Sequence, residues 1–472
     1  MDHRPLRKGV RAAAALLLAC GLLAGCAGGK GSGDGAEQVT RTGTPGAAGL
    51  RDPYFPRLGN GGYDVRHYAL TLDYEPATGR LKGTADITAR ATQALSAFNL
   101  DLTGLRVDAA TVDGRPAAVH RDGDELTVRP AEGIAARAGF RTVIRYSGTP
   151  RTLTHADGGR EGWVRTADGA LALGQPTGSM AWFPGNHHPS DKASYAVTVT
   201  VPEGLRAVSN GEPRERRTRA GRTTFVWRST EPMASYLATV AIGRYETRTS
   251  RTPSGLPVHT AARGNPALLA RIPKVLAWAT EKFGPYPFSS TGAIVDPTVD
   301  VGYALETQTR PFFGAGTFDE SFLVHELAHQ WYGNSVSPKS WRDMWLNESF
   351  ARYAEWLYAE EFHGMPVRAN FDAAFADRAN WAFPPAEPPS AADISEVPVY
   401  GRGAMVLHRI RQAVGDDTFF AILRGWAATY RHGNASTDDF TRYVEEEAGE
   451  DLDDEVWDAW LYGRERPTDP SA

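Results

Sequence analysis

One run constrains this chain more than any other: His325-Glu326-Leu327-Ala328-His329, then eighteen residues, then Glu348 within Trp345-Leu346-Asn347-Glu348-Ser349. On a helix, residues four apart share a face, so both imidazoles can reach one ion. Glu326 is offset around that helix, where a carboxylate can meet a water at the metal without ligating the metal. Glu348 supplies a third ligand from a second helix. That helix is predicted over 347–363 from Phe350, Tyr353, Ala354 and Leu357, with Gly364 as its stop. Gly333-Asn334 and Ser337-Pro338 supply the turns that bring it back. Three protein ligands and an open position describe a catalytic zinc site, whereas structural sites close with four. The bland alternative, an amphipathic helix with two incidental histidines, leaves Glu348 and the turns unexplained. The expected chemistry is hydrolysis, most naturally of peptide bonds, with one Zn2+ per chain.

The resemblance goes beyond the metal motif. The stretch His325 to Trp356 closely resembles the aminopeptidase N family of zinc metallopeptidases, which includes leukotriene hydrolase. Phe283-Gly284-Pro285-Tyr286-Pro287 looks like that family's lead-in to its substrate-binding strand. Tyr303-Ala304-Leu305-Glu306-Thr307 stands where the family carries G-A-M-E-N, and Tyr400-Gly401-Arg402-Gly403-Ala404 looks like its Y-x-K-G-A segment. The similarity runs over roughly 60–463. It implies Glu326 as general base, Tyr400 as phenol donor to the oxyanion, and Glu306 as the carboxylate that holds a substrate's free α-amine, with Gln175 and Ala304 as further substrate-binding residues. Two departures stand out. The family's Q-x-E in its β domain matches Gln175-Pro176-Thr177 here, so that Glu is absent. Tyr303 and Thr307 replace the Gly and Asn of G-A-M-E-N. They keep open an endopeptidase, and a non-catalytic zinc-containing surface binding protein is a further alternative. Binding alone would need neither Glu326 nor Tyr400. Epoxide hydrolysis would need a long lipid pocket.

Around these motifs the pattern divides in two. Period-two alternation at 68–74, 83–89 and 194–201 predicts strands. Asp113-Gly114, Asp122-Gly123 and Ser209-Asn210-Gly211 supply the turns between them. An all-β, sandwich-like domain is expected over 56–247, and the resemblance implies a saddle of sheet that closes one side of the active site. From 248 to 472 the pattern turns helical. Asn265 reads as a cap and Pro266 as the first helical residue, with apolar recurrence to Phe283. A strand follows near Ala293-Ile294-Val295. Further helices are expected over 404–414, 418–430 and 437–447, and a last one around Leu452, Val456 and Trp460. The resemblance implies that this half is a thermolysin-like α+β, mainly helical, catalytic domain. Glu445-Glu446-Glu447 and Asp453-Asp454-Glu455 read as solvated faces. Many relatives continue into a large helical C-terminal domain, so a more open active site is expected here. Asn347 and Asp343 are candidates for orienting the ligands. His187-His188 reads as a pair of loop histidines rather than a metal site.

With 472 residues, 42% of them hydrophobic, the chain can build two or three cores. A net charge of −5 argues against nucleic acid as a partner. Arg4, Arg7, Lys8 and Arg11 precede an apolar run over 12–23 that ends in Leu23-Ala24-Gly25-Cys26, resembling a bacterial lipoprotein signal over 1–25. A lipid on Cys26 would hold the exported protein on the outer face of the cell membrane. An ordinary secretory signal would leave it secreted. Residues 26–55 read as a flexible tether. Cys20 and Cys26 are the only cysteines, and Cys20 lies in the removed segment, so an internal disulfide is not expected. Peptides are the expected partners of a monomer.

Overall fold

Strand Tyr63–Glu75 buries Tyr68, Leu70, Leu72 and Tyr74 on one face, as its alternation requires. This computed structural model describes residues 43–154, 159–264 and 266–468. The signal over 1–25, Cys20, Cys26 and the Asn265 cap lie outside them. Tyr63–Glu75 sits inside an eight-stranded sheet. The order is Glu212–Arg219, Arg222–Ala234, Lys192–Pro202, Tyr63–Glu75, Arg80–Ala91, Gly139–Gly148, Arg106–Val112 and Arg115–Pro116. Every pairing is antiparallel except that of Lys192–Pro202 with Tyr63–Glu75, where Val197 faces Leu70. The edge strand Glu212–Arg219 is exposed and arginine-rich, which discourages pairing with another chain.

Two smaller sheets cover this one. The four-stranded sheet runs Thr44–Pro45, Leu95–Asp101, Glu125–Arg129, Ala118–Asp122, and Tyr63 meets its Phe98 edge-on at 5.7 Å. The five-stranded sheet runs Thr152–Thr154, Arg160–Arg165, Ala170–Leu173, Val240–Gly243, Arg206–Ser209, and Tyr74 meets its Trp163 at 5.1 Å.

From Glu246 the chain enters a mixed four-stranded sheet, Glu246–Arg251, Pro257–Ala262, Thr291–Val295 and Phe312–Phe313. The helices of this part pack mainly on one another: α1 (Ile272–Phe283), α2 (Glu320–Ala328), α3 (Trp345–His363), α4 (Val367–Ala376), α5 (Gly403–Val414), α6 (Asp416–Thr429) and α7 (Thr437–Ala448). The β-rich part followed by a mainly helical α+β part is the order that the sequence periodicity predicts. One hydrophobic core runs through both. The buried Arg310 spans them: it donates to the carbonyls of Ser209 and Gly211 on one side and of His259 and Thr291 on the other.

Several expectations need correction. Pro266 is extended, not helical (φ −68°, ψ 114°), and a 3₁₀ turn at Ala267–Arg271 precedes α1. The proline of the first helical turn is Pro273, whose missing N–H has no intrahelical partner to lose. The final segment, Asp453–Leu461, is a π-helix, with Trp457 N donating to Leu452 O (3.2 Å) and Tyr462 N to Trp457 O (2.9 Å). Glu446 and Glu447 are exposed, as a solvated face requires, while half-buried Glu445 accepts from the Trp457 indole at 2.7 Å and so pins that helix to α7. The tether read over 26–55 ends earlier. From Thr44 the chain pairs with the Leu95 strand, Asp52 accepts from Ser340 Oγ and Trp341 N, and the Tyr54 phenol donates to Pro388 O. No helix among the described residues is long and apolar enough to cross a membrane.

Candidate active site

The site is assembled from the facing ends of two helices. Asp319 caps α2 by accepting from Phe322 N (2.9 Å), which orients the turn carrying His325 and Glu326. His329 ends that helix, one turn beyond His325. The first turn of α3 carries Glu348. Glu348 Oε2 lies 3.4 Å from His325 Nε2 and 3.4 Å from His329 Nε2. The imidazoles stand nearly perpendicular, 4.7 Å apart.

Each imidazole is held from behind. His325 Nδ1 pairs with Glu355 Oε1 (2.8 Å) and His329 Nδ1 with Tyr332 O (3.0 Å). A carbonyl can only accept, so His329 donates from Nδ1 and its Nε2 lone pair faces Glu348; the Glu355 carboxylate imposes the same tautomer on His325. Three buried electron-pair donors therefore converge, all within 4.8 Å of one another. Two imidazoles, one carboxylate and an open side toward a cleft fit a divalent metal of the zinc type. Without an ion the same groups pair with one another as charges, and a metal would displace the proton they hold. Burial would raise the Glu348 carboxyl, but the two imidazoles outweigh it and hold it near 2. Burial lowers the His325 imidazole, but Glu348 and Glu355 outweigh it and carry it to about 10. Four carboxylates, Glu306, Glu326, Glu348 and Glu355, crowd two histidines, and a dication would offset that excess.

The other predicted residues lie along a cleft of 670 Å³. Glu326 is buried in its wall, and its Oε2 has no hydrogen-bond partner. Burial pushes its carboxyl up to about 8 and that of Glu306 to about 7. Glu306 follows Leu305, which pairs with Phe312 at the edge of the mixed sheet. Its backbone carbonyl accepts from Asn334 Nδ2 (2.6 Å). The Gln175 amide, turned with its nitrogen inward, donates to the Glu306 carboxylate at 2.7 and 3.1 Å. Ala304 lines the cleft beside Glu306. Tyr400 sits in a π-turn, Pro398–Arg402, at the start of α5. Its ring lies nearly parallel to that of His325, 6.0 Å away. Gly403 lets the start of α5 lie close against α3, because a Cβ there would fall 1.7 Å from Ser349 Oγ.

Some readings change. Asp343 does not orient a ligand; it accepts from Thr437 N and Oγ1 at 2.9 and 2.8 Å. Asn347 donates to the Tyr236 phenol (3.3 Å), not to a ligand. Glu355 and the Tyr332 carbonyl do that work. Glu355 was readable in principle, two turns after Glu348 on the same helix. Thr177, where the family pattern carries Glu, donates to the buried Glu161 (2.6 Å). His187 and His188 are buried loop residues, bonded to Phe183 O and to Ser190 Oγ. Phe55 lines the cleft from the N-terminal segment, and nothing in the sequence marked it.

Known proteins share these features. Residues 65–237 match the peptidase M1 N-terminal domain, and residues 319–460 match the peptidase family M1 domain. The structure superposes on a crystal structure of an M1 zinc metallopeptidase from Deinococcus radiodurans with a TM-score of 0.83 and 30% identity, covering 90% of this chain and 99% of that one. This chain belongs to peptidase family M1. Two curated proteins named as aminopeptidases also resemble the chain. Aminopeptidase N of Streptomyces lividans is 27% identical over 318 residues, 59% of this chain and 36% of its own. The leucyl aminopeptidase of Saccharolobus solfataricus is 23% identical over 439 residues, 82% of this chain and 52% of its own. The chain thus spans between about a third and a half of the length of these curated relatives.

Proposed function

We propose that this family M1 protein is a zinc-dependent aminopeptidase that releases N-terminal residues from peptides. The observation that carries the reading is Glu306. Its carboxylate lies within 4.8 Å of the reactive atoms of Glu326 and His329 and is aimed by Gln175. A carboxylate fixed there holds a free α-amine one residue from the scissile bond, which is how a site comes to measure off a single amino acid. His325, His329 and Glu348 would hold the zinc, which supplies Lewis-acid polarisation and an acidified water. Glu326, with one oxygen unpartnered toward the cleft, takes the proton from the attacking water and later returns it to the leaving amine. Tyr400 keeps its proton, because burial and then Glu348 push its phenol well above the usual range, and so it can donate to the oxygen that gains charge. Relatives named aminopeptidases, and the Deinococcus enzyme crystallised with a Tyr-Ser-Ala peptide, support this reading.

Thr177 in place of an acid leaves one carboxylate for the amine and favours a second reading, an endopeptidase. Comparing free-amine aminoacyl fluorophores with their N-acetylated forms, with and without chelator, separates the two. Chelator-sensitive cleavage of the free-amine set alone supports the aminopeptidase; cleavage of the acetylated set overturns it. We also propose that a lipid on Cys26 anchors the protein outside the cell membrane, where it acts as a monomer. Arg4, Arg7, Lys8, Arg11 and Leu23-Ala24-Gly25-Cys26 support the anchor. Fatty-acid labelling that survives Cys26→Ser would overturn it.

A further inference from the structure

Lys192 opens the strand Lys192–Pro202, and its side chain leaves the β-rich part for the catalytic part. Its Nζ donates to the carbonyls of Asn334 (2.9 Å), Ser335 (2.8 Å) and Gly433 (3.2 Å), so all three N–H groups are used. No carboxylate among the described residues pairs with it. Lys192 is half-buried, and an ammonium met only by carbonyl dipoles is a costly way to fasten a turn, since it gives up hydration and gains no countercharge. What it fastens is the turn directly after the second histidine ligand. Asn334 N donates to His329 O (3.0 Å), and Asn334 Nδ2 donates to Glu306 O (2.6 Å). Ser335 N donates to Gln330 O (3.2 Å), and Gln330 Nε2 reaches the same Glu306 carbonyl at 3.4 Å. The β-rich part grips this turn again through the Tyr236 phenol, which donates to Gly333 O (3.2 Å). One short turn therefore joins the metal-ligand helix, the backbone of Glu306 and two side chains of the β-rich part.

We propose that Lys192 is a positioning residue for amine recognition: through Asn334 it sets the spacing between the Glu306 carboxylate and the metal ligands. This rests on the aminopeptidase reading of the cleft. Lys192 touches neither Glu306's carboxylate nor a ligand, so its effect on substrate passes through the turn. On this view the β-rich part does more than wall the cleft, because it calibrates the distance over which one residue is measured.

The test is a double-mutant cycle on the full-length zinc enzyme, with free-amine aminoacyl fluorophores as substrate and zinc content measured alongside. Lys192→Met keeps the methylene stem and removes the donors. It is expected to keep its zinc and to raise KM about tenfold, the loss of one well-placed hydrogen bond, with a smaller change in kcat. In a Glu306→Ala background the same substitution should change kcat/KM less than about twofold, because the group it positions is gone. Asn334→Ala should reproduce both results, and it carries the test if Lys192→Met does not fold. Equal effects in the two backgrounds, or a loss confined to kcat with zinc released, would overturn the proposal. A wild-type enzyme that ignores free-amine substrates would overturn the aminopeptidase reading and this proposal together; an active wild type with additive effects overturns this proposal alone.

Discussion

A phenol helps a developing oxyanion only while it keeps its proton, and the surroundings of Tyr400 ensure that: burial first, then Glu348, Glu306 and Glu326. Tyr400→Phe should lower kcat by about 10²–10³, the usual loss for one oxyanion donor, while KM stays within about threefold. Steady-state kinetics on a free-amine substrate checks this. Asp191 shows the same forces at work in stability. It is buried and accepts from Val65 N and Asn186 Nδ2, and burial raises its carboxyl to about 8. A folded pKa above the unfolded value means stability present below about pH 4 and lost as pH climbs toward 8. Asp191→Asn mimics the protonated acid and escapes that loss. Urea unfolding should therefore show the variant gaining on wild type between pH 5 and pH 8; a constant difference would contradict this. At this scale the metal ligands were legible because helix geometry turns a spacing of four into a shared face. The groups behind them were less so. The carbonyl of Tyr332 is backbone and has no letter in a sequence. Asp343 was misread because closeness along the chain to Glu348 did not become closeness in space.

Elements show why the catalytic helices stay in place. The segment before Tyr63 is a strap across the two parts of the molecule, and Asp52 is its fastening. It accepts from Ser340 Oγ (2.7 Å), Trp341 N (2.9 Å) and Tyr54 N (2.9 Å), with His188 Nε2 at 3.4 Å. Burial alone would raise the Asp52 carboxyl, but hydrogen bonds, those of His188 and Ser340 foremost, outweigh it and hold it well below the usual range. Asp52→Ala should cost about 3 kcal/mol, since it orphans several buried donors. Because the folded pKa is depressed, that contribution is present above pH ~4 and fades as pH falls below it, so the difference from wild type should be larger at pH 7 than at pH 3. Urea midpoints at the two values decide it. The strap was illegible because the Gly- and Ala-rich stretch leading into it reads as a linker, while Asp52 and Tyr54 find their partners almost 300 residues or more away. The helix read from Pro266 failed for a local reason: two prolines seven residues apart, Pro266 and Pro273, both satisfy the start signal, and only the second lies in the first helical turn.

For the molecule as a whole, the division into a β-rich part and a helical part was legible, since a switch in periodicity from two to helical spacing survives in any sequence. How the parts clasp each other was not. Lys192 and Arg310 look in the sequence like ordinary surface cations, yet Lys192 reaches from the β-rich part to carbonyls of the helical part, and the buried Arg310 donates to carbonyls of both. The site depends on this clasp: the metal ligands and Glu326 come from the helical part, and Gln175, which aims Glu306, comes from the β-rich part. The central claim is that these groups form one hydrolytic machine in which Glu326 moves the proton and does not hold the metal. Zinc content and turnover of Glu326→Gln, measured on the same preparation, test it most directly. The account predicts one zinc per chain, as in wild type, with kcat on a free-amine substrate reduced by about 10²–10⁴, the usual worth of a general base. Substantial turnover in that variant, or loss of its zinc, would contradict it.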